Sequence, residues 1–237
     1  MSDKTLKQRI RDKEQIVVIN MHATDTPDEM ARVIENNPCD ILWIDGQHSP
    51  LNEERIVEFC NAADALNMPV QFRIPHTQNA YLIGHYLDLG VSGIEVPQVE
   101  LDSTVDEALS QFYFPQYGNR SWIGGNAKSF PKERLEYADW WNNYGILMIQ
   151  LESIEAVTNA RNLAKSGVDC FTFGPADLTF SIEGHPDHPL STVDECVKNV
   201  VKQVEGTDTA ISFRNNVSSE REKYAEMGVT IFIESPK

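Results

Sequence analysis

Glu152 and Asp177 each follow a short apolar run, and their placement can put two carboxylates in one space. Residues 146–178, ILMIQLESIEAVTNARNLAKSGVDCFTFGPADL, read as strand, helix, strand. The first apolar run ends in Glu152. Ser153 can then N-cap a helix whose apolar positions, Val157, Ala160, Leu163 and Ala164, recur at helical spacing. Gly167 closes that helix, and the run 170–173 leads into Gly174-Pro175-Ala176-Asp177. Strands joined by a helical crossover lie parallel, so both acids leave at the same carboxyl-terminal edge. Two such carboxylates repel or share a cation, and an oxygen-only pair with room for water suits Mg²⁺ or Mn²⁺. The alternative is that each caps the helix that follows it.

The rest of the chain supplies the frame. Short apolar runs at 15–20 (QIVVIN), 41–45 (ILWID), 70–73 (VQFR), 93–96 (GIEV), 209–213 (TAISF) and 230–233 (TIFI) join the two runs above to make eight strands. Helical patterns alternate with them, among them a strong start at Thr26-Pro27-Asp28-Glu29, an amphipathic stretch at 52–66 and a helix at 79–89. Residues 1–14 read as a polar helix packed across one end. Eight alternating pairs imply one (β/α)₈ barrel, a TIM barrel, spanning 1–237 as a single α/β domain. A doubly wound open sheet is the runner-up, and the first turn lacks the GxGxxG of its dinucleotide-binding form. Residues 97–145 form a long excursion. It carries an acidic helix near 102–112, an aromatic and glycine-rich loop (FYFPQYGNRSWIGGN) and a helix with Trp140 and Trp141. The chain stops right after strand eight with no closing helix, so that strand is expected to expose apolar surface of the kind that marks an interface.

Barrel active sites are built on the loops at the carboxyl ends of the strands. Those positions hold His48 after strand two, Arg73 at the end of three, Glu152 at the end of five and Asp177 after six. Gln150 lies two residues before Glu152, on the same face. A loop histidine is most often an incidental surface residue, and Arg73 has 36 acids to pair with. Co-location favours chemistry, because a barrel interior gives an isolated charge no cheap place to sit. The set suits making or breaking a carbon–carbon bond next to a carbonyl. A divalent ion would chelate a 2-oxo acid, the ion and arginine would hold enolate charge, and histidine would move the proton of the aldol hydroxyl. A Schiff-base route needs a lysine at a strand end, and the eight strands have none.

Bulk properties set the limits. With 237 residues, 41% of them apolar, the chain can bury one sizeable core. A net charge of −16 argues against nucleic acid or an anionic membrane as partner. Cys39, Cys60, Cys170 and Cys196 show no CxxC spacing and read as free buried thiols. No run is long enough to span a bilayer and the amino terminus lacks a signal-peptide core, so a cytoplasmic location is expected.

The motifs WIDGQHSP (43–50), FRIP (72–75), IQLES (149–153) and GPADLT (174–179) occur in this order, and with them the chain resembles the HpcH/HpaI aldolase family over about 41–233. These are metal-dependent class II pyruvate aldolases, 4-hydroxy-2-oxoheptanedioate aldolase among them, of the phosphoenolpyruvate/pyruvate barrel superfamily. The resemblance implies that Glu152 and Asp177 bind a divalent metal (Mg²⁺, Mn²⁺ or Co²⁺), with Gln150 and the Ala176 backbone holding the pyruvate portion. It implies that Arg73 stabilises the enolate and that His48 is the general acid/base, presented by a loop that Asp45 begins. Asp88, in YLDLG, matches an aspartate that raises the basicity of the histidine. The family assembly implied is a homo-oligomer, a hexamer built as a trimer of dimers. The chain departs from the pattern in three places. DGEH is DGQH here, with Gln47 for the acid. The anion-contacting GxRG turn is Gly118-Asn119-Arg120-Ser121, followed by Trp122. The first strand ends in Asn20-Met21-His22, where His22 is read as an incidental loop residue.

The activity so implied is reversible cleavage of a 4-hydroxy-2-oxo acid to pyruvate and an aldehyde, both small-molecule partners. A malyl-CoA or citramalyl-CoA lyase-like activity would need a basic groove, which the acidic composition disfavours. A non-catalytic ligand-binding barrel is the third reading.

Overall fold

The structure is a computed structural model that describes residues 4–122 and 133–237. Eight parallel strands follow one another round a closed barrel: β1 (Ile16–Met21), β2 (Ile41–Asp45), β3 (Val70–Arg73), β4 (Gly93–Val96), β5 (Ile146–Leu151), β6 (Cys170–Phe173), β7 (Ala210–Asn216) and β8 (Ile231–Glu234), the last pairing with β1. Helix α1 (Leu6–Arg11) precedes the barrel. Outside it run α2 (Pro27–Asn36), α3 (Glu53–Ala65), α4 (Ile83–Asp88), α5 (Asp102–Phe112), α6 (Arg134–Asn142), α7 (Ile154–Leu163), α8 (Pro175–Gly184), α9 (Val193–Gln203) and α10 (Arg221–Ala225).

Local sequence explains the helix starts. Thr26 and Glu29 form a reciprocal capping box at α2, with Pro27 at the first position, and Ser153 Oγ accepts the Ala156 amide at α7. The helix expected at 79–89 is instead a 3₁₀ turn, Thr77–Leu82, running into the short α4. The reason is His76, whose ring accepts the Gln78 amide at 3.0 Å and starts the turn early.

The strand alternation builds two cores. Outward residues such as Ile19, Leu42, Ile44 and Phe72 pack against the helices. Inward residues, among them Ile16, Val18, Ile41, Trp43, Met148, Cys170, Ile231 and Ile233, fill the barrel floor, where Ile10 and Leu6 of α1 plug the amino end. The expectation of a polar helix across one end is met, with α1 confined to six residues.

Strand eight corrects the sequence reading. Ile231, Phe232 and Ile233 are at most 1% exposed, so no apolar strand face is left open. Phe232 shares the outer core with Met30 of α2 and Tyr224 of α10, and Arg221 of α10 pairs with Glu234 through Nη2 at 2.7 Å. The short α10 is thus tied to the end of β8 by that ion pair. Cys60, Cys170 and Cys196 are buried thiols outside any disulfide, whereas Cys39 is half-buried. Among the described residues no helix is long and apolar enough to cross a membrane.

The amino-terminal plug is pinned by a buried charge. Lys7 is 1% exposed, and its ammonium donates to Asp169 Oδ2 at 2.9 Å, the Tyr113 hydroxyl at 2.9 Å and the Gly145 carbonyl at 2.6 Å. Three donors meet three acceptors, so removing the lysine leaves the buried Asp169 carboxylate with only the Leu147 amide at 3.0 Å and the distant Arg11 guanidinium at 3.8 Å. Lys7→Met should therefore cost roughly 3–5 kcal/mol, a fall in Tm on the order of 10 °C by thermal unfolding. The double variant Lys7→Met/Asp169→Leu should recover part of that loss.

Candidate functional site

The carboxyl ends of β2, β3 and β5 bring Asp45, Arg73 and Gln150 together. Strand register sets Asp45 beside Arg73. Their side chains form a two-pronged pair, Nε to Oδ1 at 2.9 Å and Nη2 to Oδ2 at 2.7 Å. Arg73 Nη1 reaches Gln150 Oε1 at 3.3 Å. The Asp45 carboxylate also accepts the Gln47 amide at 2.9 Å and a backbone bond from His48. Burial pushes the Asp45 carboxyl up, but the Arg73 bonds outweigh it and, with the loop amides, leave it below the usual range. The loop turns tightly at Gly46, where an added Cβ would come within 2.8 Å of the Phe72 ring and the Arg73 carbonyl. His48 is thus presented at the mouth, exposed, and its ring makes no hydrogen bond among the described residues.

Glu152 and Asp177 are near enough for the charge of one to act on the other. Glu152 is 5% exposed; its Oε1 accepts the Gln98 amide at 3.0 Å, while its buried Oε2 has no hydrogen-bond partner among the described residues. Burial and, next, the charge of Asp177 push its carboxyl up to about 7. Asp177 is exposed in the first turn of α8, whose cap, Gly174, supplies no side-chain bond. Gly174 is small for a reason: a Cβ there would lie 2.5 Å from Glu152 Oε2 and 2.6 Å from Gln150 Nε2. The start of α8 has no side-chain cap, so the Ala176 amide is one of the first-turn N–H groups that can take an anion.

Two residues take partners that the sequence did not indicate. Asp88 Oδ1 accepts Arg120 Nη2 at 2.7 Å, and no hydrogen bond joins it to His48 among the described residues. Arg120, expected to contact a substrate anion, is 2% exposed and lies between the rings of Phe114 (4.8 Å) and Trp141 (4.5 Å). Burial forces the guanidinium to find a carboxylate, and the α4 acid is the one it reaches. The part of the aromatic loop from Ile123 to Asn126 lies outside the described residues.

Sequence reasoning missed three interior groups. Glu95 of β4 is fully buried and accepts Trp43 Nε1 at 2.8 Å. Arg214 of β7 approaches Glu95 at 3.5 Å and lies 4.1 Å from the Trp43 ring centre, with Arg73 on the same ring at 5.1 Å. The run TAISF ends one residue before Arg214, whereas β7 continues to Asn216; the period-two series Ala210, Ser212, Arg214 was the available signal.

The mouth thus holds four carboxylates, Asp45, Glu95, Glu152 and Asp177, against two guanidiniums. It is short of two positive charges. A cleft of about 500 Å³ at the amino-terminal end, lined by Arg11, Tyr113 and Asp169, has its acid already paired with Lys7. The unbalanced end is the carboxyl-terminal one.

The profile of the HpcH/HpaI aldolase/citrate lyase family matches residues 19–231. The chain belongs to this family. It is 30% identical over 201 residues to a 2-keto-3-deoxy-L-rhamnonate aldolase of Klebsiella pneumoniae, covering 82% of this chain and 73% of that one. It is 28% identical over 213 residues to the enzyme of that name from Escherichia coli K12, covering 87% and 77%. An HpcH/HpaI aldolase from Desulfitobacterium hafniense superposes with a TM-score of 0.85 at 22% identity, over 98% of this chain and 90% of that one, and the citrate synthase SbnG with 0.81 at 22%, over 98% and 91%. HpcH/HpaI membership makes the chain a carbon–carbon lyase of the aldolase type.

Whether this HpcH/HpaI chain can hold a metal is a question for its own donors. No group of three or more His, Cys, Asp and Glu suited to a metal occurs among the described residues. Two carboxylates suffice for a Mg²⁺-like ion that keeps waters and takes substrate oxygens. The unpartnered Glu152 Oε2, the space kept by Gly174 and the missing positive charge all fit such an ion.

The cost of this arrangement is measurable without substrate. For an acid raised from 4.5 to about 7, stability falls as pH rises through that window and stays lower above it. Glu152→Gln should therefore raise the Tm of the metal-free protein at pH 8 by several degrees, on the order of 1–3 kcal/mol, and change it little at pH 4. Mg²⁺ should raise the Tm of the wild type and not of the variant.

Proposed function

We propose that this chain is a divalent-metal-dependent aldolase that reversibly cleaves a 4-hydroxy-2-oxo acid to pyruvate and an aldehyde. The observation that carries the reading is the buried oxygen of Glu152, without a hydrogen-bond partner among the described residues and under the charges of Asp177 and Arg73. The relatives named as 2-keto-3-deoxy-L-rhamnonate aldolases act, by that name, on a 2-oxo acid of the same class.

Glu152 and Asp177 would hold the ion, which when bound supplies Lewis acidity toward the 2-oxo acid. The Ala176 amide at the start of α8 would take the acid's carboxylate, and Gln150 would orient the same end. Arg73, clamped by Asp45, would face the oxygen on which negative charge develops; its fixed geometry means little reorganisation as that charge grows. Asp45 also anchors the loop amides, which aims His48 at the departing or arriving hydroxyl. His48 would take the proton from the 4-hydroxyl as the bond breaks and return one on the reverse path. No lysine on a strand competes for a carbonyl.

A coupled assay of pyruvate release, run with Mg²⁺, Mn²⁺ or Co²⁺ on a panel of 4-hydroxy-2-oxo acids, tests the reading. EDTA should abolish turnover and the metal should restore it. His48→Ala should lower kcat roughly 10²–10⁴-fold, and Arg73→Ala should lower kcat more than it raises KM. Turnover that survives both EDTA and Glu152→Ala would rule the mechanism out.

A further inference from the structure

Arg214 sits at an irregularity of the barrel. Strand β7 slips its register against β8 between Arg214 and Asn216, and Asn216 takes a φ of +60°. Asn215 Nδ2 pins the bend by donating to the Val217 carbonyl at 2.8 Å and to Glu234 Oε1 at 3.0 Å. A bulge near a strand end re-aims the side chain beside it. The Arg214 guanidinium lies over Trp43, 4.1 Å from the ring centre, a position that keeps its in-plane donors available. It makes one contact, Nη2 to Glu95 Oε1 at 3.5 Å, the outer limit of a hydrogen bond, and no other hydrogen bond among the described residues. Glu95 is already served by Trp43 Nε1 at 2.8 Å. Burial penalises the charge of Arg214, so its unused donors call for an anion.

Strand order says which end of a substrate would meet it. In the aldolase reading the pyruvate portion lies against Arg73 of β3, Gln150 of β5 and the start of α8 after β6, with His48 after β2 at the hydroxyl. Pyruvate has one carboxylate, and the α8 start takes it. Strands β7, β8 and β1 close the rest of the circle. The inward side chains near their carboxyl ends are Arg214, Ile233 and Asn20, so Arg214 is the cation of that arc. The aldehyde half of the substrate, beyond the hydroxyl carbon, has this arc left to it. Arg73 and Arg214 share one indole, at 5.1 and 4.1 Å, so their guanidinium carbons are no farther apart than those two distances laid end to end. A substrate held at its keto oxygen by one and at its far end by the other is a short one.

Resting on the aldolase reading, we infer that Arg214 binds a carboxylate on the aldehyde half, so that the preferred substrate is a short 4-hydroxy-2-oxo diacid that cleaves to pyruvate and an aldehyde acid. The C3–C4 bond breaks as the 4-hydroxyl loses its proton; C4 becomes the aldehyde carbon and its carboxylate stays on Arg214, while C3 gains a proton to give pyruvate.

The acids 4-hydroxy-2-oxopentanedioate and 4-hydroxy-2-oxopentanoate share one chain length and differ by that carboxylate; they cleave to pyruvate with glyoxylate and with acetaldehyde. Pyruvate release from each, in the presence of Mg²⁺, gives the two values of kcat/KM. The diacid should be favoured on the order of 10- to 100-fold, the range of a hydrogen-bonded charge. In Arg214→Met the ratio should fall toward one, and Arg214→Lys should retain part of it. If Arg214→Met leaves Glu95 short of a partner and the fold suffers, Arg214→Met/Glu95→Gln removes both charges and is read the same way. Equal kcat/KM for the two acids in the wild type, or a preference that survives Arg214→Met, overturns the assignment of Arg214 and leaves the aldolase reading intact, since pyruvate is still released. Pyruvate from neither acid overturns the assignment as well, and the wider panel of 4-hydroxy-2-oxo acids then decides the aldolase reading separately.

Discussion

The two-pronged bond between Asp45 and Arg73 is the constraint on which the mouth of this barrel depends. A buried ion pair adds little net stability by itself, because desolvating both charges offsets their attraction. Its value here is positional. Arg73 has a flexible stem, and the fork leaves its guanidinium one plane and one direction. The same carboxylate accepts the amides that begin the His48 loop, so one side chain sets the arginine and the histidine relative to each other. Gly46 makes that possible, since the loop passes too close to Phe72 and the Arg73 carbonyl for any side chain.

The two ends of the barrel divide stability from chemistry. At the amino end the Lys7 ammonium finds an acceptor for each of its three protons, the Tyr113 hydroxyl donates in turn to the Gly167 carbonyl, and the floor above is apolar. At the carboxyl end an excess of carboxylates, a buried oxygen without a partner and an arginine with unused donors coexist within a few strands. Such a set raises the free energy of the folded chain unless a cation and an anion complete it, which is the property expected of a binding site.

How much of this was legible in the chain follows from what each signal measures. Strand cores and the helix starts came through because alternation, caps and prolines are local. ILWID, VQFR, GIEV and CFTF match their strands residue for residue. Arg73, Gln150 and Glu152 could be placed at one rim because strand order in a barrel follows chain order. Pairings between distant segments were not legible. Arg120 and Asp88 are each a sensible partner for something else, and only packing between Phe114 and Trp141 shows that they take each other. Likewise, nothing in TIFI says that Glu234, just beyond it, pairs with Arg221 of α10.

The interior trio is the instructive case. Trp43 and Glu95 read as ordinary strand residues, and Arg214 falls just beyond an apolar run, so each alone suggests nothing. Yet inward-facing positions near the carboxyl end of a barrel strand are neither surface nor floor. A charge there is costly unless something binds it. Three strands, β2, β4 and β7, contribute one residue each to a stack in which the tryptophan satisfies the acid with its N–H and carries the arginine on its face. The acid is thereby satisfied without consuming the arginine. A structural ion pair would be closed by the shortest contact available, as Asp45 and Arg73 are. The looser 3.5 Å approach of Arg214 to Glu95 fits a guanidinium held in place by the indole for a ligand still to come.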